Sequence, residues 1–317
     1  MNITFLDSFT LNPGDLSWEP LQALGTFREF DRTRPEDVLE RAAGAEILIV
    51  NKVPLGEREF SALKSLRLVC VAATGYDVVD TQAARRHGVA VTNCANYSTG
   101  AVAQMVMAHI LEVTNRVGYY AARNRDGFWT EAEDFCCWTS PLTELAGKRL
   151  AIVGYGNIGQ AVGRLAAAFG MEVSAVTSKA AGQLPPEVQK VELAEAFRTS
   201  DFVSLNCPLT KENAGFVNAA LLAEARPGLV VVNTARGGLV DEEAVASALR
   251  SGRLAAYCAD VLSKEPPRKD NPLMGLHNAY ITPHIAWATR EARARIIRIL
   301  VENIRSFAAG RPQNLVN

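Results

Sequence analysis

A chain of 317 residues has the length of about two domains at ~150 residues each. Its 48% hydrophobic and 21% charged residues exclude a disordered chain. Lys+Arg 33 against Asp+Glu 34 leave a net charge of −1, without the basic excess of a nucleic-acid binder. No apolar run approaches the ~20 residues that cross a bilayer. The start, Met1-Asn-Ile-Thr-Phe-Leu-Asp7, lacks the basic and apolar regions of a signal peptide. A cytoplasmic location is expected.

In chain order, four short apolar runs come first: Ile3–Asp7, Glu46–Val50, Leu66–Ala72 and Val89–Thr92. Thr99–Arg125 then carries Ala101, Val102, Met105, Val106, His109, Ile110 and Val113 at helical spacing, with Ser98 or Thr99 as N-cap. It reads as one long crossover helix. Six further runs follow: Lys148–Val153, Glu172–Thr177, Asp201–Cys207, Gly228–Ala235, Ala255–Val261 and Ala279–Thr282. They are mostly apolar on both faces, as strands are when helices cover both sides of a parallel sheet. The fold class is therefore α/β, with two doubly wound parallel-sheet domains. A closing helix runs from a Thr289 cap, through Ile296, Ile297, Leu300, Ile304 and Phe307, to Gly310. If it packs on the first domain, that domain is discontinuous: residues 1–98 plus 286–317, around a second domain at 99–285.

Six cysteines, with no Cys-x-x-Cys pair, read as reduced thiols. Cys70, Cys207 and Cys258 lie in strand-like runs and are expected to be buried.

The strongest local signal is Leu150-Ala-Ile-Val-Gly154-Tyr-Gly156-Asn157-Ile158-Gly159, between an apolar strand and a helical stretch. Gly154 permits the tight turn, Gly156 the approach of a pyrophosphate, and Gly159 close helix–strand packing. The helix N-terminus then offers free N–H groups to phosphates. A dinucleotide site follows. The next strand ends Thr177-Ser178-Lys179, without the acid that holds a ribose 2′-hydroxyl. Hydroxyls and an ammonium accept a 2′-phosphate, which favours NADP over NAD, or use of both. The alternative is a solvated Lys179 and NAD bound without the acid.

Three later segments place polar residues just past strand ends, where open α/β sheets bind ligands. They are Val232-Asn-Thr234-Ala235-Arg236-Gly-Gly, Asp260-Val-Leu-Ser-Lys-Glu265-Pro, and Ile281-Thr-Pro-His284-Ile-Ala-Trp287. With Ala73-Thr74-Gly75-Tyr76-Asp77, Asn93-Cys-Ala-Asn-Tyr-Ser98, the glycine turn and Cys207-Pro-Leu-Thr210, they make the whole chain resemble the D-isomer-specific 2-hydroxyacid dehydrogenases. Asn12-Pro-Gly-Asp-Leu-Ser-Trp18 and His284-Ile-Ala-Trp287 are most similar to the glycerate dehydrogenase and hydroxypyruvate reductase branch.

The resemblance implies a Rossmann coenzyme domain and a flavodoxin-like substrate domain. It also implies hydride transfer between NAD(P)H and the C2 carbonyl of a small 2-keto acid, hydroxypyruvate or glyoxylate. His284 is implied as the proton donor, imidazole being the side chain whose charge changes nearest working pH. Glu265 would fix its tautomer and favour its protonated form, and Arg236 would clamp the substrate carboxylate. Cofactor contacts carry over to Asn157, Ile158, Cys207, Thr234, Ala235, Arg236, Asp260 and His284. Asp260 would lie near the nicotinamide amide or, alternatively, cap a loop. Val53 and the backbone of Thr74, Gly75 and Tyr76 would meet the substrate. Gln104 departs from the acid that many relatives carry there.

The aromatic stretch from Asp126 to Pro141 is implied to wrap a second subunit, making a homodimer, with Trp138 reaching toward the partner's site. Trp287 would border the pocket or pack at the domain junction. No histidine shows metal-ligand spacing, and no metal site is expected. Two other readings stay open: a bulkier 2-keto acid, or a dinucleotide-sensing co-regulator with little turnover.

Overall fold

The computed structural model describes all 317 residues. The chain divides into two compact units, Met1–Ser98 with Trp287–Asn317, and Thr99–Ala286. Ala286 groups with the second unit, because its amide donates to Asp260 Oδ2 at 2.8 Å.

The first unit holds β1 (Asn2–Phe5), β2 (Thr26–Glu29), β3 (Ile47–Val50), β4 (Leu68–Val71) and β5 (Ala90–Thr92). They form one parallel sheet in the order β2-β1-β3-β4-β5, the flavodoxin-like arrangement. Ile3 pairs with Ile47, and Ile47 with Leu68. β3 and β4 are buried along their whole length, as central strands covered on both faces must be. β2 was not among the expected strands. It is an edge strand with three of four residues exposed, so it carries no apolar run. The opposite edge is covered by the chain terminus, where Val316 N donates to Val91 O at 2.9 Å.

The closing helix Arg290–Ala308 belongs to this unit. Thr289 Oγ1 caps it by accepting from Ala292 N, and Gly310 follows it at φ 71. Ile296, Ile297, Leu300 and Ile304 are buried; Phe307 is half-buried. Its buried Arg293 donates to both Asp15 oxygens, at 2.6 and 2.7 Å. That fork holds the Asp15 carboxyl below its ordinary range.

The second unit holds β6 (Arg149–Val153), β7 (Glu172–Val176), β8 (Val188–Lys190), β9 (Phe202–Leu205), β10 (Leu229–Asn233), β11 (Leu254–Ala259) and β12 (Ala279–Ile281). Its parallel sheet runs β12-β11-β10-β9-β6-β7-β8. Counted from β6 this is the Rossmann order with one added strand, and the direction of winding reverses between β6 and β9. Alternate residues of β6 enter opposite cores: Ala151 and Val153 on one face, Leu150 and Ile152 on the other. Each buried side chain of Val or Leu size contributes about 1.5–3 kcal/mol, so both helical layers are held firmly. β8, the second strand the sequence did not reveal, is again an edge with two of three residues exposed.

The crossover segment is two helices, Thr99–Asn115 and Val117–Arg125. Arg116 separates them at φ 52, and a left-handed residue cannot continue a right-handed helix. Its guanidinium donates to Ser140 Oγ at 2.6 Å and lies over the Tyr119 ring. The contact with Ser140, 24 residues on, lies at a break that periodicity does not reveal.

All six cysteines are free. Burial pushes the Cys70 thiol up to about 12. Cys207, expected to be buried, is half-buried, because β9 ends at Leu205.

Candidate active site

In the second unit every residue singled out for chemistry lies beyond the carboxyl end of a strand. From one side of the sheet to the other these ends belong to β12, β11, β10, β9, β6 and β7. The glycine turn, at β6, lies at the reversal of winding.

The three glycines of that turn do different work. Gly154 sits at φ +93, and a Cβ there would lie 2.6 Å from Cys207 N. A Cβ on Gly159 would lie 2.3 Å from Gly154 O. Both are required by the protein's own packing. A Cβ on Gly156 meets no atom within 4 Å, so its absence leaves the backbone bare on an open side. The helix Asn157–Ala168 starts here without a side-chain cap. Nearby, Asn206 Oδ1 and Thr234 Oγ1 are buried without protein partners. They follow β9 and β10. A bare turn, an open helix N-terminus and two orphaned polar atoms fit a dinucleotide.

At the end of β7, Lys179 N donates to Thr177 Oγ1 at 3.2 Å, and Ser178 is exposed. Lys179 Nζ lies 5.9 Å from the ring centroid of Tyr155, inside the glycine turn. Lys190 Nζ, from the edge strand β8, donates to Lys179 O at 2.8 Å. Two ammonium groups therefore stand where the ribose acid is missing.

Glu265 and His284 meet directly. Glu265 Oε2 lies 2.6 Å from His284 Nδ1, and Glu265 Oε1 accepts from Leu262 N at 3.0 Å. Nδ1–H therefore donates to the carboxylate, which leaves Nε2 as the ring nitrogen that Glu265 does not engage. His284 holds a left-handed backbone at φ 55, a conformation that costs about 1–3 kcal/mol and concentrates at functional sites. Arg236 is tied to the same cluster through its neighbour: a Cβ on Gly237 would lie 1.9 Å from Leu262 C. Only glycine lets the β10 turn approach the segment that anchors Glu265. The Arg236 guanidinium is exposed, with Nη1 donating to Ala235 O at 2.7 Å.

Asp260 is buried, and its carboxylate accepts from Thr282 Oγ1 at 2.6 Å, Ile285 N at 2.9 Å and Ala286 N at 2.8 Å. These hydrogen bonds cap the loop that carries His284. They fasten the backbone just after His284 and the Thr282 side chain just before it.

Sequence reasoning missed Asn233. Fully buried, it accepts from Ala235 N at 3.1 Å and donates to Arg236 O at 3.0 Å, setting the course of the Arg236 turn. A polar residue ending the run Val-Val-Val-Asn was the available signal.

In the first unit, Val53 is buried in a loop after β3, while Thr74 and Tyr76 are exposed after β4 and Gly75 is half-buried. Thr74 Oγ1 donates to Cys94 O at 3.0 Å, and Asn93 Nδ2 to Thr74 O at 2.8 Å. Asp7, also missed, accepts from the amides of Asn51, Lys52 and Val53 and shapes that loop. Burial pushes its carboxyl upward, against the pull of those amides. Trp287 packs edge-on against Tyr97 at 6.3 Å. Back in the second unit, Trp129, Phe135 and Trp138 of the aromatic stretch are exposed, Phe135 at 89%.

Residues 107–286 match the model of the D-isomer specific 2-hydroxyacid dehydrogenase, NAD binding domain. A hydroxypyruvate reductase of Blautia hydrogenotrophica is 42% identical, with all of both chains covered. A glycerate dehydrogenase of Methylorubrum extorquens is 37% identical over 92% of this chain and 91% of its own. Among solved structures, an acyclic imino acid reductase in complex with NADPH and D-Arg superposes with TM-score 0.85 at 29% identity, covering both chains fully. The chain therefore belongs to the D-isomer-specific 2-hydroxyacid dehydrogenase family. It is a dehydrogenase with an NAD(P)-binding domain. No helix is long and apolar enough to cross a membrane.

Proposed function

We propose that this chain reduces the C2 carbonyl of a small 2-keto acid, with hydroxypyruvate and glyoxylate as first candidates, giving D-glycerate or glycolate. The observation that carries the reading is the 2.6 Å His284–Glu265 pair beside a dinucleotide cradle. Relatives named hydroxypyruvate reductase and glycerate dehydrogenase support the substrate class.

A bound reduced nicotinamide supplies the hydride. His284 Nε2, in the imidazolium form, gives its proton to the oxygen of C2, and in the reverse direction takes it back. Glu265 holds the ring through Nδ1 and balances its charge. Arg236 pairs with the substrate carboxylate through its planar fork and polarises the carbonyl. Asn157, Ile158, Cys207, Thr234 and Ala235, with the glycine turn, would hold the dinucleotide.

The Thr177–Lys179 turn favours NADPH over NADH, since it carries an ammonium and no carboxylate. The exposed Trp129, Phe135 and Trp138 form an aromatic surface suited to a second copy of the chain, in a cytoplasmic homodimer.

The test is absorbance at the reduced-nicotinamide band, with hydroxypyruvate or glyoxylate and NADPH and NADH in parallel. Oxidation that depends on keto acid, faster with NADPH, is the expected result. Tight cofactor binding without oxidation of any 2-keto acid would overturn the enzyme reading in favour of a sensor.

A further inference from the structure

His109 is the one histidine of the second unit that the fold buries, and the chemistry above leaves it unused. It lies on the helix Thr99–Asn115 and is 5% exposed. Its Nε2 is 3.3 Å from Thr282 Oγ1. That hydroxyl has one proton, and it goes to Asp260 Oδ1 at 2.6 Å, the shorter and charge-assisted contact. Thr282 Oγ1 is therefore the acceptor from His109, and Nε2 carries a hydrogen. Asp260 in turn accepts from Ile285 N and Ala286 N, directly after His284.

We propose that His109 is a positioning residue for the reaction: its Nε2–H orients the Thr282 hydroxyl onto Asp260 and so keeps the left-handed loop of His284 in one conformation. Without that donor, the Thr282 hydroxyl has a second acceptor in reach, Ala259 O at 3.5 Å. Asp260 then loses one of its three donors, and the strained backbone at His284 is held less firmly. Burial pulls the His109 ring below its ordinary range, with Asp260 acting partly against this, which suits a neutral donor. The inference rests on His284 being the proton donor.

The test is a double-mutant cycle at saturating reduced cofactor and hydroxypyruvate, with cofactor affinity followed by fluorescence and folding by thermal melting. His109→Leu should lower kcat about tenfold in the His284 background, the size common for coupled neighbours. Cofactor affinity should stay within twofold. His109→Gln, which retains an N–H at similar reach, should restore most of the rate. In the His284→Ala background, His109→Leu should leave the residual rate unchanged. A His109→Leu rate within twofold of wild type, alongside a large His284→Ala loss, would overturn this proposal alone. Equal losses in both backgrounds would overturn it too, showing a general structural effect. A His284→Ala variant as active as wild type would overturn the reading of His284 and this inference with it.

Discussion

Nδ1 of His284 lies 2.6 Å from Oε2 of Glu265, and the two residues follow strands that are neighbours in the sheet. A carboxylate so placed decides which ring nitrogen carries the exchanged proton. It would also balance the imidazolium that the proposed proton transfer requires.

Glu265→Gln keeps the size of the side chain and removes its charge. The variant should lose roughly tenfold to a hundredfold in kcat, part of the ~10²–10⁴ that acid–base catalysis supplies. Cofactor affinity, measured by fluorescence titration, should stay within twofold. Wild-type kcat would show that the pair only shapes the loop.

The glycines of the turn should separate fold from binding. Gly156 has φ −82, which alanine adopts freely, and open space on its Cβ side. Gly156→Ala should keep its melting temperature within ~2 °C while dinucleotide Kd rises about tenfold, or ~1.4 kcal/mol. Gly154→Ala meets backbone at 2.6 Å and should lose about 1–3 kcal/mol of stability. Unchanged cofactor affinity in Gly156→Ala would remove the pyrophosphate from this turn.

Lys179 is the handle on cofactor choice. Lys179→Glu places a carboxylate where a 2′-phosphate is expected, and like charges repel. NADPH should bind about tenfold more weakly while NADH changes less than threefold. Equal changes for both cofactors would place Lys179 away from the 2′ position.

Much of this arrangement was legible in the sequence, and what was not has physical reasons. Ten strands announced themselves as mostly apolar runs, and the central ones, β3, β4, β9 and β10, are buried along their whole length. β2 and β8 did not, since an edge strand needs no apolar run. The three glycines, Arg236, Glu265 and His284 were readable as local patterns at strand ends. The helix break at Arg116 and the contact of His109 with Thr282, 173 residues away, depend on tertiary approach that no local pattern encodes. Cys207 looked like part of a strand but lies past its end.

His109 also sets a pH dependence of stability. Its folded pKa lies below the ordinary 6.5, chiefly through burial. Between the two values the unfolded chain binds more protons, so stability falls as pH drops through the window below 6.5. In thermal melts, His109→Leu should therefore lose less melting temperature than wild type between about pH 7 and pH 5.5. An equal loss in both proteins would assign that acid sensitivity to other groups.

The central claim is that His284 gives the proton when a 2-keto acid is reduced. The most direct measurement is the steady-state oxidation of reduced nicotinamide by His284→Ala at saturating hydroxypyruvate, with cofactor Kd measured on the same sample. The account predicts a kcat loss of about a hundredfold or more with cofactor binding near wild type. Turnover within a few-fold of wild type would contradict it.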